Sequence, residues 1–235
     1  MTGGDAVARP AVIDLAALGA AAATALEDRI SAARLICFPT DTVYGVGGAL
    51  TPAVADALVA AKGRDPAKPL QLIFSTVGAL EAAVAPVPEL RTACRRLLPG
   101  PLTLLLPYPA GWEFPPPGTA GKAFGRPAVP TLGVRVPVWP SAARVLASLR
   151  RPLVASSANP SGASSPSSLD QVDASLLAHC DLALDAGPVS GRASTVVDLS
   201  RYADTGSWRL LRLGVWGEAE IAARLAGTRK PPPKP

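Results

Sequence analysis

Leu35-Ile36-Cys37-Phe38-Pro39-Thr40-Asp41-Thr42-Val43-Tyr44-Gly45 is the stretch on which the fold and the chemistry both turn. The apolar run ending at Phe38 predicts a buried strand. The hydroxyls, carboxylate and phenol that follow lie on a loop leaving a strand's carboxyl end, where open α/β sheets hold their ligands. Next comes a predicted helix over Pro52 to Ala61, with Thr51 as N-cap and Pro52 in the first position. Directly after it, Lys62-Gly63-Arg64-Asp65-Pro66-Ala67-Lys68-Pro69 brings three cations into a short connection. Hydroxyls after one strand and cations after the next helix suit a ligand carrying phosphates and carboxylates.

Working outward, the pattern predicts a helix over Asp14 to Ala33 and strands at Arg34 to Phe38 and Leu70 to Phe74. Helices follow at Val77 to Val84 and Pro88 to Leu98, and Pro99-Gly100-Pro101 breaks the chain before a strand over Leu102 to Leu106. Tyr108 to Pro130 is rich in Pro and Gly and too long for an ordinary connection, so it reads as a functional loop or lid. Leu132 to Val136 and Pro152 to Ser156 are predicted strands on either side of a helix at Ser141 to Leu149. Ser157 to Ser168 reads as an ordered substrate loop before a helix over Leu169 to Ala178. Strands at Leu182 to Asp185, Thr195 to Leu199 and Trp208 to Leu213 precede a last helix at Glu218 to Leu225. Helices alternating with directly connected strands imply one α/β domain, residues 1–226, with a twisted mixed parallel and antiparallel sheet flanked by helices. Residues 227–235, ending in Lys-Pro-Pro-Pro-Lys-Pro, are expected to be a disordered tail.

Composition narrows the function classes. The chain of 235 residues is 49% apolar and 17% charged, so a substantial core is available. Its three cysteines, Cys37, Cys94 and Cys180, form no C-x-x-C pair, and His179 is the only histidine. Those counts argue against a disulfide framework, a zinc site or a multi-histidine centre, and for a reducing cytoplasm without a membrane span. The net charge of +5 is compatible with anionic ligands or nucleic acid. No G-x-x-x-x-G-K-[ST] occurs, and Gly45-Val46-Gly47-Gly48 does not satisfy the dinucleotide fingerprint.

A dispersed set of short motifs carries more. Pro39-Thr-Asp-Thr-Val-Tyr-Gly45, Lys62-Gly-Arg64, Lys68-Pro-Leu70 and Pro99-Gly-Pro-Leu-Thr103 are followed by Val134-Arg-Val-Pro137 and Ser156-Ser-Ala-Asn-Pro-Ser-Gly162. Ser194-Thr-Val-Val-Asp198 and Leu211-Arg-Leu-Gly214 complete the series. In this order they resemble the YrdC-like family of threonylcarbamoyl-AMP synthases, in its short form without an extra C-terminal domain. The resemblance implies a YrdC-like fold. It also implies ATP, L-threonine and bicarbonate as substrates, with Mg²⁺ carried on ATP, and threonylcarbamoyl-adenylate and pyrophosphate as products. The adenylate would pass to tRNA-modification transferase proteins for threonylcarbamoyladenosine synthesis, with tRNA itself a candidate contact.

Residue by residue, the resemblance implies that Thr42, Arg135, Ser157 and Ser194 contact threonine or its carbamate. It assigns Arg64, Lys68, Thr131, Asn159, Ser167 and Arg212 to ATP, and Lys62, Arg64, Ser157 and Asn159 to the catalytic group, with no protein-held metal. Two positions depart from the family's pattern. Leu72-Ile73-Phe74 is apolar where many relatives carry a polar residue facing threonine, so that contact is either lost or made by Ser75, and Leu213 stands where proline is commoner. Asp41 and Tyr44 read equally well as loop-shaping residues or as substrate contacts. Two alternatives stay open at this point: another YrdC-like carbamoyl-adenylate enzyme, and a non-catalytic RNA-binding protein.

Overall fold

The computed structural model describes residues 9–63, 70–112, 118–120, 129–160 and 163–228. The strands are β1 (Ala11–Asp14), β2 (Ile36–Phe38), β3 (Gly45–Ala49), β4 (Gln71–Ile73), β5 (Leu102–Pro107), β6 (Gly118–Ala120), β7 (Val129–Arg135), β8 (Leu153–Ser157), β9 (Leu182–Asp185), β10 (Thr195–Asp198) and β11 (Arg209–Arg212). They form one mixed sheet in the order β1-β9-β2-β3-β8-β4-β7-β5-β10-β11, with β6 paired to β7. The β1–β9, β2–β9, β4–β7 and β5–β10 pairs are parallel. The β2–β3, β3–β8, β4–β8, β5–β7 and β10–β11 pairs are antiparallel. A single α/β sheet with both strand senses is what the alternation of elements predicts.

Strand alternation divides the sheet's side chains between two cores. Cys37, Val46, Leu72, Leu104, Val134, Val154 and Val197 face the larger one. There they meet α2 (Pro52–Ala61), α3 (Val77–Val84), α4 (Pro88–Leu97) and α7 (Glu218–Leu225). Ile36, Phe38, Ile73, Leu153 and Leu184 face the other way, onto α1 (Ala23–Ala32) and the 3₁₀ segment Ser141–Ser148. This second core draws no side chain from β7, β5, β10 or β11. On that half of the sheet the same face presents Thr131, Gly133 and Arg135 of β7, Thr103 of β5 and Val196 of β10. Among the described residues no helix covers this half of the face, and its polar side chains make it a candidate floor for a ligand.

Several elements differ from their sequence-based prediction. The predicted helix over Asp14 to Ala33 is a strand, two 3₁₀ turns at Leu15–Ala17 and Ala20–Ala22, and then α1. Asp14 ends β1 and caps the first turn by accepting from the Ala16 N–H at 2.9 Å. Only Asp14 of the predicted range belongs to the strand, which pairs with β9 over Ala11–Asp14; beyond it the chain turns twice around Gly19 before α1 begins. β3 is absent from the prediction because Gly-Val-Gly-Gly-Ala has almost no strand-forming residues. Its glycines serve close approach: a Cβ on Gly47 would lie 1.9 Å from the Val154 carbonyl oxygen of β8. The stretch from Tyr108 to Pro130 is not all loop, since it contains β6 and the start of β7.

The Ser141 to Leu149 helix is 3₁₀ and kinked at Ala143. The predicted Leu169 to Ala178 helix is a 3₁₀ turn at Leu169–Gln171 and a single α turn, α5 (Ala174–Leu177), because Asp173 prefers to cap, accepting from Ser175 N. A further turn, α6 (Tyr202–Thr205), precedes β11. In the predicted tail, Thr228 closes α7 by donating its N–H and hydroxyl to the Ala223 carbonyl, and residues 229–235 lie outside the described residues. Among the described residues no helix is long and apolar enough to cross a membrane.

Candidate active site

Arg135 is the centre of the floor. It ends β7 with its side chain on the open face and only 3% of the residue exposed. Its Nη2 donates to Asp41 Oδ1 at 2.9 Å and to Thr42 Oγ1 at 2.8 Å. The loop between β2 and β3 therefore folds back across the sheet to meet it. Thr40 holds that loop from inside, accepting from the Thr42 and Val43 N–H groups and donating to the Val43 carbonyl at 2.7 Å. Asp41 is in turn fixed by the Val138 N–H on its second oxygen, at 3.2 Å.

Burial pushes the Asp41 carboxyl above its ordinary range, against the pull of Arg135 and the Val138 N–H. Burial likewise lowers the Arg135 guanidinium, with Asp41 opposing. A guanidinium starts so high that it keeps its charge. Arg135 Nε is buried and has no hydrogen-bond partner among the described residues. A buried donor of this kind is costly unless a ligand completes it.

A second cluster lies across β5 and β10. Ser194 Oγ is 2.9 Å from Thr103 Oγ1, which donates to Gln71 Oε1 at 3.1 Å. Arg212 Nη2 donates to Ser194 Oγ at 3.0 Å and to the Ser194 carbonyl at 2.9 Å, and its Nε donates to the same carbonyl at 3.2 Å. Sheet irregularity makes this possible. Leu210 opposes Val197, whose side chain is in the larger core, but the register shift between Val196 and Val197 sets Arg212 opposite Val196. The bulge thus turns Arg212 onto the open face. Burial, and after it the like charge of Arg135, lowers the Arg212 guanidinium.

Segment 186–194 joins the two clusters. Gly191 N–H and Ser190 Oγ donate to the Thr42 carbonyl at 2.8 and 3.1 Å, and Ser194 ends the segment. Its start is pinned by Tyr44, which is wholly buried. The Tyr44 hydroxyl lies 2.9 Å from Asp185 Oδ1 and 2.8 Å from the Gly187 carbonyl, and accepts from the Ala186 N–H at 3.1 Å. Burial and the Asp185 carboxylate raise the phenol, so it stays a neutral donor. Tyr44 therefore shapes the loop.

At the end of α2, Lys62 Nζ donates to the Ser157 carbonyl at 2.6 Å and to Ser156 Oγ at 3.3 Å. Of the predicted catalytic residues, Lys62 and Ser157 are thus in contact. Asn159 is buried and donates to the Pro160 and Ala163 carbonyls at 3.0 and 2.6 Å, organising its own loop. Ser167 Oγ donates to Gln171 Oε1 at 3.0 Å, while its carbonyl accepts Val189 N–H. Thr131 is buried on β7, two residues from Gly133. Arg64 and Lys68 lie outside the described residues.

Four residues join the site without having been singled out for it: Thr40, Gln71, Thr103 and Ser156. Each lies in or beside a motif quoted above, which is the only signal the sequence offers. Ser75 is buried, and its carbonyl accepts Trp139 Nε1 at 3.0 Å. Gln71 is the polar group that β4 turns toward the floor.

The Sua5_yciO_yrdC family model, described as "Telomere recombination", matches residues 28–214. The chain belongs to the Sua5/YciO/YrdC family. A Pyrococcus abyssi relative named threonylcarbamoyl-AMP synthase is 34% identical over 172 residues, which are 72% of this chain and 48% of that protein. This chain therefore spans about half the length of that relative. An Alkalilimnicola ehrlichii relative of the same name is 34% identical over 177 residues, covering 72% of this chain and 87% of that one. The crystal structure of P. abyssi Sua5 complexed with L-threonine covers 93% of this chain and 60% of its own, at 29% identity and a TM-score of 0.69. The Sua5/YciO/YrdC match ends at Gly214, so α7 lies beyond it.

Proposed function

We propose that this chain is an L-threonylcarbamoyladenylate synthase. It joins L-threonine, bicarbonate and MgATP into threonylcarbamoyl-AMP and pyrophosphate. The observation that carries this reading is Arg135: a buried guanidinium on a polar sheet floor, with Nε unpartnered among the described residues and the Thr42 hydroxyl at Nη2. Such a group suits a small carboxylate, for which arginine's planar fork is made. A relative bound to L-threonine supports the choice of carboxylate.

Threonine's amine adds to the carbon of CO₂ drawn from bicarbonate, forming a carbamate and releasing a proton. A carbamate oxygen then attacks the α-phosphorus of ATP, the bond to the bridging oxygen breaks, and pyrophosphate leaves. Every reactant is anionic, so positioning and charge neutralisation carry the catalysis. Arg135, Thr42, Ser194 and Ser157 hold threonine and its carbamate. Arg212, Lys62, Asn159, Thr131 and Ser167, together with Arg64 and Lys68, form the nucleotide side. Mg²⁺ enters as part of the nucleotide substrate and is held chiefly by phosphates and water.

The product passes to tRNA-modification transferase proteins, in the cytoplasm. That setting suits three buried free thiols, of which burial raises Cys94 and Cys180 to about 12. Isothermal titration with L-threonine, with and without ATP, tests the reading. Heat that depends on threonine supports it. Binding of RNA without any threonine response would replace it with an RNA-binding role.

A further inference from the structure

Thr195 follows Ser194 but points the other way, and it is wholly buried. Its hydroxyl accepts the Gly214 N–H at 3.1 Å and the Trp216 N–H at 3.0 Å, and donates to the Trp216 carbonyl at 2.7 Å. One side chain thus uses both its acceptor and its donor capacity on the turn just after Arg212. The two backbones touch there: a Cβ on Gly214 would lie 2.3 Å from the Ala193 oxygen and 2.4 Å from the Thr195 nitrogen. The turn leads into a packed element. The edge of the Trp216 ring packs against Gly100, and the Arg224 guanidinium lies over the ring, 4.0 Å from its centroid. Ile221 and Leu225 of α7 are buried in the larger core.

We propose that Thr195 is a positioning residue through which α7 fixes Arg212 and, through the Arg212 hydrogen bonds, sets the threonine-contacting Ser194, an inference that rests on the threonine-site reading above. Arg212 grips Ser194 by three hydrogen bonds, and Arg212 is itself two residues from Gly214. Replacing the Thr195 hydroxyl by a methyl would strand two N–H groups and a carbonyl in a dry site. The 214–216 turn would move out to find water, and Arg212 would move with it. The segment beyond the family match then acts on the site through one hydroxyl.

The test is titration of L-threonine into the full chain and its Thr195→Val and Thr195→Ser variants, with threonine KM, kcat and melting temperature in parallel. Thr195→Val should weaken threonine by about tenfold and raise its KM similarly, with kcat changed by less than about threefold. Thr195→Ser, which keeps the hydroxyl, should stay within about threefold of the parent. A Thr195→Val variant that melts earlier but binds threonine normally overturns the inference, as does a serine variant as weak as the valine one. If Thr195→Val does not fold, Arg224→Met decides, because it removes the cation over the Trp216 ring, together with its ion pair to Glu220 on the same helix. It should weaken threonine by about two- to threefold, the loss of one cation–π contact, and unchanged binding overturns the inference. A parent chain that gives no threonine heat overturns the threonine reading itself, which keeps the two failures apart.

Discussion

Arg135 and Asp41 are a buried ion pair, with Nη2 2.9 Å from Oδ1, in which the arginine's Nε has no partner among the described residues. Asp41 neutralises the guanidinium and leaves part of its fork for a second anion. One charge is thus balanced inside the chain, and the same group remains a ligand.

Asp41→Asn should separate these roles. It leaves Arg135 buried without a counter-ion, which costs on the order of 3 kcal/mol in the ligand-free protein. Threonine then supplies the missing negative charge, so the rise in melting temperature on adding threonine should exceed that of the parent. Thermal melts with and without threonine read both effects. Unchanged stability would show that Asp41 is not the counter-ion.

Arg135→Lys keeps the charge but loses the planar fork. Threonine affinity should fall by at least about tenfold, because a point charge cannot serve Asp41, Thr42 and a carboxylate in one plane. Titration calorimetry on the folded variant measures it. Affinity equal to the parent's would remove Arg135 from the threonine site.

Tyr44→Phe deletes a hydroxyl that serves Asp185, Ala186 and Gly187. The stranded backbone groups should cost about 1–3 kcal/mol in denaturant unfolding. Segment 186–194 starts there and ends at Ser194, so weaker threonine binding should accompany the loss. A fully stable variant would mean that the segment is held elsewhere.

Asp198 predicts a pH dependence. Burial pushes its carboxyl up, but the Ser200 donors and Arg209, at 2.5 Å, outweigh burial and leave it below its ordinary value. A carboxyl lowered in the folded state stabilises above its unfolded value, near pH 3.9, and that stability is lost as pH falls through the folded value. Below about pH 4, Asp198→Asn should therefore lose stability less steeply than the parent, after being less stable by about 2 kcal/mol at pH 7. Parallel acid curves for the two proteins would contradict this.

The sequence makes the floor partly legible. Arg135 stands out as a charge inside the apolar strand pattern Leu132 to Val136, and a charge in such a place needs a partner. Its partner Asp41 is legible only as ambiguous, because a loop carboxylate and a strand guanidinium 94 residues apart give no local sign of meeting. β3 escapes because its glycines record the close approach of β8, which no propensity scale contains. Arg212 is quoted in its motif, yet only the bulge opposite Val196 explains which face it takes. The helix expected over Asp14 to Ala33 fails at its start for a matching reason. Asp14 ends a strand paired with β9 and caps a 3₁₀ turn, and Gly19 parts the two turns before α1, a tertiary setting that alanine's helix preference does not record.

The most direct test of the central claim is pyrophosphate release by the purified full chain with MgATP, in degassed buffer, across the four combinations of L-threonine and bicarbonate. The account predicts release only when both are present, because the group that attacks the α-phosphorus is the carbamate they form together. Mass spectrometry should then find threonylcarbamoyl-adenylate in that mixture alone. Pyrophosphate release without threonine, or release of phosphate in its place, would contradict the account.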